Sequence, residues 1–88
     1  KSRELAIKSR TANDRMCKAT GNLAETIMEG RQNSITLSFA LDANSTEPGR
    51  AMVLRAYKEQ AFYSEAGKRK ATIEFRNREE LRCQTLYN

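Results

Sequence analysis

Large apolar side chains alternate with small or polar ones in the segment Ser34-Ile35-Thr36-Leu37-Ser38-Phe39-Ala40-Leu41, residues 34–41 of the chain. Every odd position carries a large apolar side chain, and every even position carries a small or polar one. A period of two places all the large side chains on one face of an extended chain. The segment therefore predicts a β-strand with one buried face, and this strand makes the expected fold class α+β.

A long helix is predicted before this strand, over the first thirty residues. Its apolar residues recur at steps of seven, four, three, four and four, which follows one face of a helix with 3.6 residues per turn. They are Leu5, Ala12, Met16, Ala19, Leu23 and Ile27. Gly21 is expected to bend or break this helix and Gly30 to end it, because glycine costs about 1 kcal/mol relative to alanine inside a helix.

Residues 50–66 support two interpretations. A helix is favoured, because Thr46 can cap it, Pro48 suits its first turn and Gly67 can stop it. The alternative is strand structure that turns through a hairpin at residues 65–68 into the next element. The sequence leaves this choice open.

The remaining residues predict a second strand and a short closing helix. Ile73 and Phe75 alternate with polar neighbours in residues 71–76, which favours a strand. Asn77 can then cap a helix over residues 78–86. The expected architecture of the single small domain, residues 1–88, is a long N-terminal helix followed by strand, helix or hairpin, strand and short C-terminal helix.

The residue types in the chain argue against catalysis and against a metal or other cofactor. There is no histidine, and there are only two cysteines, Cys17 and Cys83. Histidine is the commonest general base and metal ligand, and two distant cysteines cannot build a tetrahedral zinc site. We therefore expect a binding protein that is not an enzyme and that holds no metal or small-molecule cofactor.

The cysteine content and the hydropathy of the chain bear on the cellular compartment of the protein. No apolar run approaches the roughly 20 residues of a membrane-spanning helix, so no membrane partner is expected. Two cysteines are fewer than small secreted proteins usually carry, which favours a cytoplasmic location with reduced thiols. The alternative is a secreted protein with a Cys17–Cys83 disulfide, and the glycosylation pattern Asn44-Ser45-Thr46 supports it.

The net charge of +5 points to an anionic partner. Residues 50–88 hold nine of the sixteen Lys and Arg residues. The candidate nucleic-acid-binding residues are Lys68, Arg69, Lys70, Arg76, Arg78 and Arg82. On the predicted strand and helix they could follow a phosphate backbone. Nucleic-acid binding, or a regulatory role associated with it, is the first functional hypothesis.

Three aromatic residues suggest a second hypothesis. Tyr57, Phe62 and Tyr63 are candidates for a self-association surface, so a homodimer is expected. In this alternative the protein is an inhibitor or adaptor module that blocks a larger partner, and it binds an acidic surface of that partner. Apolar side chains would then supply most of the binding energy, while charge would mainly tune the association rate.

Overall fold

The computed structural model describes residues 2–87, with side chains from residue 11 onward. Four helices follow one another along the chain: α1 (Ser2–Gln32), α2 (Leu37–Ala43), α3 (Glu47–Tyr57) and α4 (Glu65–Tyr87). The described residues contain no β-strand. The predicted α+β fold class is therefore wrong, and the fold is all-α.

The two long helices, α1 and α4, pack against each other in antiparallel orientation. At one end of the pair, Asn13 Nδ2 donates a hydrogen bond to the carbonyl oxygen of Tyr87 over 3.1 Å. At the other end, Lys68 Nζ lies 3.5 Å from Asn33 Oδ1. Residues with increasing sequence numbers along α1 therefore contact residues with decreasing sequence numbers along α4, as in an antiparallel helix pair.

Small residues bring α1 close to α4. The buried face of α1 has steps of four, three and four, and it consists of Cys17, Gly21, Ala24 and Met28. A β-carbon at Gly21 would lie 3.1 Å from Glu80 Oε1, which is tighter than ordinary van der Waals contact. The expected break at Gly21 is wrong because α1 is continuous there. The absence of a side chain at Gly21 leaves space for the Glu80 and Arg76 side chains of α4.

A disulfide joins the same pair of helices. Cys17 and Cys83 are bonded, their Cα atoms lie 5.4 Å apart, and they are separated by 66 residues of sequence. Both residues are buried. The bond therefore fixes α4 against α1 inside the interface rather than on its rim.

Helices α2 and α3 cover one half of the α1–α4 pair and complete the core. All four helices contribute to one buried cluster, whose members are Ala24, Ile27, Met28, Ala40, Met52, Val53, Ala56 and Phe75. Phe75 is the only aromatic member and is 1 % exposed. The core is thus small and mostly aliphatic, and it occupies the half of the molecule where α2 and α3 lie.

The first predicted strand is wrong because most of residues 34–41 belongs to α2. Ser34 adopts a positive φ of 68° after α1, and the Ile35 N–H then bonds the Gly30 carbonyl over 2.9 Å. Thr36 caps α2 by accepting a hydrogen bond from the Phe39 N–H over 3.2 Å. In so short a segment, large residues at every second position also include pairs four apart, such as 37 and 41. A period of two therefore does not exclude a helix here.

The second predicted strand is wrong for a different reason. Residues 71–76 lie inside α4, and the proposed hairpin turn at residues 65–68 and the capping residue Asn77 are helical as well. The buried face of α4 has steps of three, four and four, and it consists of Thr72, Phe75, Glu79 and Cys83. Two of these four residues are polar, so the helical period is invisible to a count of apolar residues.

Within residues 50–66, helix α3 extends as far as Tyr57 and α4 begins at Glu65. The connection from Lys58 to Ser64 is irregular but fixed to the end of α1. The Gln32 side chain donates to the Gln60 carbonyl and accepts from the Phe62 N–H, each over 2.8 Å. One buried amide thus holds the loop by both of its polar atoms.

Candidate protein-binding surface

The apolar residues that predicted the inner face of α1 mostly face solvent. Ile27 is buried, whereas the side chain of Leu5 lies outside the described residues. The exposed members are Ala12, Met16, Ala19 and Leu23, which we call the α1 stripe. Met16 and Leu23 are each 39 % exposed. Helix α1 therefore carries two apolar faces, and only the one built from small residues packs against α4.

The α1 stripe leads into an open groove of about 350 Å³ between α1, α2 and α3. Its apolar walls are formed by Leu23, Ile27, Ile35, Phe39, Ala40 and Tyr57; we call it the α1–α2 groove. Phe39 is 65 % exposed and Ile35 is 42 % exposed. Large side chains on the walls of a groove are thus left in water next to an exposed apolar helix face.

The wall at Tyr57 is held in place by polar contacts. The Tyr57 hydroxyl donates to the Ile35 carbonyl over 2.7 Å. The Arg31 guanidinium stacks 5.4 Å from the centre of the Tyr57 ring and donates twice to the Glu59 carbonyl, over 3.1 and 3.0 Å. Desolvation raises the pKa of Tyr57, and the positive charge of Arg31 partly offsets this. The groove is therefore bounded by a neutral, hydrogen-bonded tyrosine.

The three aromatic residues proposed for self-association occupy different settings. Tyr57 lines the α1–α2 groove. Phe62 sits in the α3–α4 loop, where a β-carbon at Gly67 would come within 3.0 Å of the Phe62 β-carbon. Tyr63, its neighbour, is fully exposed. Tyr57 alone is part of the groove.

The candidate nucleic-acid-binding residues Lys68, Arg69, Lys70, Arg76, Arg78 and Arg82 all lie on α4. At 100° per residue they point to several sides of the helix, so the arrangement expected on a strand and a separate helix does not form. Three of them lie in ion pairs: Lys68 with Glu65 at 3.8 Å, Arg76 with Glu25 at 3.4 Å, and Arg78 with Glu59 at 3.1 Å. The helix thus distributes this charge and partly neutralises it.

A larger concavity of about 690 Å³ lies between α1 and the beginning of α4. Its charged lining mixes Glu25, Glu29 and Glu65 with Lys68 and Arg69. Within the part of the chain that the structure describes, no cluster of three or more His, Cys, Asp or Glu residues could hold a metal ion. The mixture of opposite charges defines no preference for an anion or a cation.

Comparisons of the chain with family models, with characterised proteins and with solved structures find no match. No helix among the described residues has the length and apolar content needed to cross a membrane. Functional inference therefore rests on the surface of the molecule itself.

Sequence reasoning missed the α1–α2 groove, although a signal for it was present. Helix α1 carries one apolar series at Met16, Ala19 and Leu23. A second series, made of residues with small side chains, consists of Cys17, Gly21 and Ala24. Two such series on neighbouring sides of one helix require two covering elements. The chain supplies full cover for only one of them.

Proposed function

We propose that this protein is a non-catalytic protein-binding module that receives an apolar helix of a protein partner in the α1–α2 groove. The observation that carries the proposal is the exposure of Leu23, Ile35 and Phe39 around one groove, beside the exposed α1 stripe. Contiguous apolar patches on small proteins mark sites of association. This develops the hypothesis of an inhibitor or adaptor module.

A helix suits this groove better than an extended peptide. The described residues offer no sheet edge to which a strand could be added. An amphipathic helix docks by placing side chains three, four and seven residues apart into an apolar groove. Two small residues of α1, Thr26 and Gly30, are part of the groove lining, and the Ile35 side chain lies against Gly30.

The disulfide supports the secreted alternative over the cytoplasmic location. Disulfides persist in oxidising compartments and are rare in the cytosol. The bond between Cys17 and Cys83 is buried within the α1–α4 interface, where it serves packing rather than redox exchange. We therefore place the proposed binding function outside the cytoplasm.

Nucleic-acid binding remains a prediction of the sequence. Of the six candidate residues, Arg69, Lys70 and Arg82 take part in none of the ion pairs among the described residues, so these three are the candidates best placed to contact phosphate. They do not share one face of α4, which favours the protein-binding proposal.

The test is a selection of displayed helical peptides against the purified, oxidised chain, followed by mapping of the bound peptide by NMR. We expect enriched peptides to carry apolar residues at helical spacing and to shift the amide signals of Leu23, Ile35 and Phe39. Phe39→Asp should abolish binding. Leu54→Asp is the matched control, because Leu54 is 46 % exposed on α3 and is not part of the groove lining.

Two results would overturn the proposal. One is a selection that enriches no helical peptide, or peptides that bind Phe39→Asp as well as they bind the unchanged chain. The other is binding of duplex or single-stranded nucleic acid at about 50 mM salt that shifts Arg69, Lys70 and Arg82 while no peptide binds. That second result would establish the nucleic-acid hypothesis instead.

A further inference from the structure

Resting on this proposed function, we infer that the helix that fits the α1–α2 groove is α1 of a second copy of this chain, packed antiparallel in a two-fold symmetric dimer. The chain carries both halves of such an interface. The groove requires an amphipathic helix with an apolar face, and the α1 stripe is an exposed apolar helix face within the same molecule.

The α1 stripe has the spacing of a helix–helix seam. Ala12, Met16, Ala19 and Leu23 follow steps of four, three and four, which is the repeat of the two apolar positions in a coiled coil. The next two positions of the same seam are Thr26 and Gly30, and both line the groove. One continuous seam therefore runs from the stripe into the groove.

The charges beside this seam select the antiparallel orientation. The residues directly before Met16, Leu23 and Gly30 of the seam are Arg15, Asn22 and Glu29, respectively. In an antiparallel pair these positions face their own counterparts, so Arg15 of one copy meets Glu29 of the other about a two-fold axis at Asn22. A parallel pair would not bring these two residues together.

Both of these charges are exposed on α1. Arg15 and Glu29 take part in none of the ion pairs among the described residues. They are thus available to the second copy.

The same register places a large side chain at the groove. A two-fold axis at Asn22 brings Met16 of the second copy to the level of residue 28, between Thr26 and Gly30 of the seam. The unbranched methionine side chain can adapt to the space between the exposed walls at Ile35 and Phe39. Because the interface is isologous, both grooves are filled at once and no open-ended assembly follows.

The test is a charge exchange between Arg15 and Glu29, with mass measured by light scattering and sedimentation across micromolar concentrations. We expect the unchanged chain to be a dimer. Arg15→Glu alone and Glu29→Arg alone should each weaken the dimer about tenfold, because like charges then face each other at both ends of the seam. The double variant should restore the affinity of the unchanged chain, and circular dichroism should show that all variants fold.

Lys70→Glu, on the outer side of α4, is the matched control and should leave the dimer intact. A monomeric chain at all concentrations would overturn the inference. A dimer in which the double variant is as weak as either single variant would overturn the antiparallel register. If the chain is monomeric while selected peptides still bind the groove, the proposed function stands without the dimer. If Phe39→Asp changes neither peptide binding nor the dimer, both proposals fail.

Discussion

The guanidinium of Arg55 on α3 donates two hydrogen bonds to the carboxylate of Glu79 on α4, over 2.9 Å from Nε and 2.6 Å from Nη2. The Glu79 side chain is only 2 % exposed, whereas the Arg55 side chain is 32 % exposed. The hydrogen bond to Glu79 raises the pKa of Arg55, against the opposing effect of burial. A buried carboxylate on the core face of α4 is thus satisfied by the neighbouring helix.

Replacement of this arginine should be costly, because it leaves a buried carboxylate without its partner. We expect Arg55→Met to lower the free energy of unfolding by about 2–3 kcal/mol, measured by urea denaturation. Arg50→Met, at an exposed position on the same helix, should change it by less than about 0.5 kcal/mol. Equal effects of the two substitutions would contradict a structural role for the Arg55–Glu79 pair.

Reduction of the disulfide should destabilise the protein. The reduced protein should still contain its helices while it is folded. Opening a cross-link that spans 66 residues is expected to cost about 4 kcal/mol, since the unfolded chain regains conformational freedom. Thermal unfolding with and without reductant measures this. The paired change Cys17→Ala and Cys83→Ala should be equally destabilised and should no longer respond to reductant; a continued response would point to another cause.

The free energy of unfolding should fall at high pH, because Tyr57 loses its proton there. Its pKa is raised above 10.0 in the folded protein, so the neutral form is favoured there. The corresponding stabilisation is present below the pKa of the unfolded chain and is lost as pH rises through the folded value. Tyr57→Phe should remove this alkaline component and cost about 1 kcal/mol at neutral pH, because the bond to the Ile35 carbonyl is lost.

Tyr63→Phe serves as the control for that substitution. Tyr63 is fully exposed, so its hydroxyl can be removed with a change in unfolding free energy of less than about 0.5 kcal/mol at neutral pH. Urea denaturation of both variants at a series of pH values checks this. An unchanged alkaline slope in Tyr57→Phe would show that another group causes it.

Position 21 should not accept a large side chain, because α1 and α4 lie close together there. Gly21→Leu would drive atoms into Glu80 and Arg76, whose nearest atoms lie 3.1 and 3.4 Å from a β-carbon there. We expect a loss of about 1–3 kcal/mol, measured by thermal unfolding. Asn77→Leu, at an exposed position on α4, is the matched control and should be nearly neutral. Wild-type stability of Gly21→Leu would show that the Glu80 and Arg76 side chains can move aside at no cost.

The long N-terminal helix could be predicted from the sequence, but its inner face could not. Met16 and Leu23 carry the stronger apolar signal and are exposed, while Cys17, Gly21 and Ala24 are buried with a weaker one. Hydropathy ranks side chains by size and polarity. It does not report that two helices held by a disulfide need small residues where they touch.

The helical state of α4 was hidden by its buried polar residues. Glu79 contributes a charge where a periodicity analysis expects an apolar side chain, and its partner Arg55 lies on another helix, 24 residues away in sequence. The candidate groove was hidden for a related reason. Ile35 and Phe39 belong to a segment with the alternation of a half-buried strand, and only the three-dimensional structure shows Ile35 before a short helix, Phe39 within it, and both side chains exposed.

The bond between Cys17 and Cys83 also makes most of the molecule a closed covalent loop. Helices α2 and α3, all three connections next to them and the whole α1–α2 groove lie inside this loop. A protease that cuts any single peptide bond between the two cysteines therefore releases no fragment. The nicked protein stays one molecule until the disulfide is reduced, and the two pieces that carry the groove stay tethered after the backbone is cleaved.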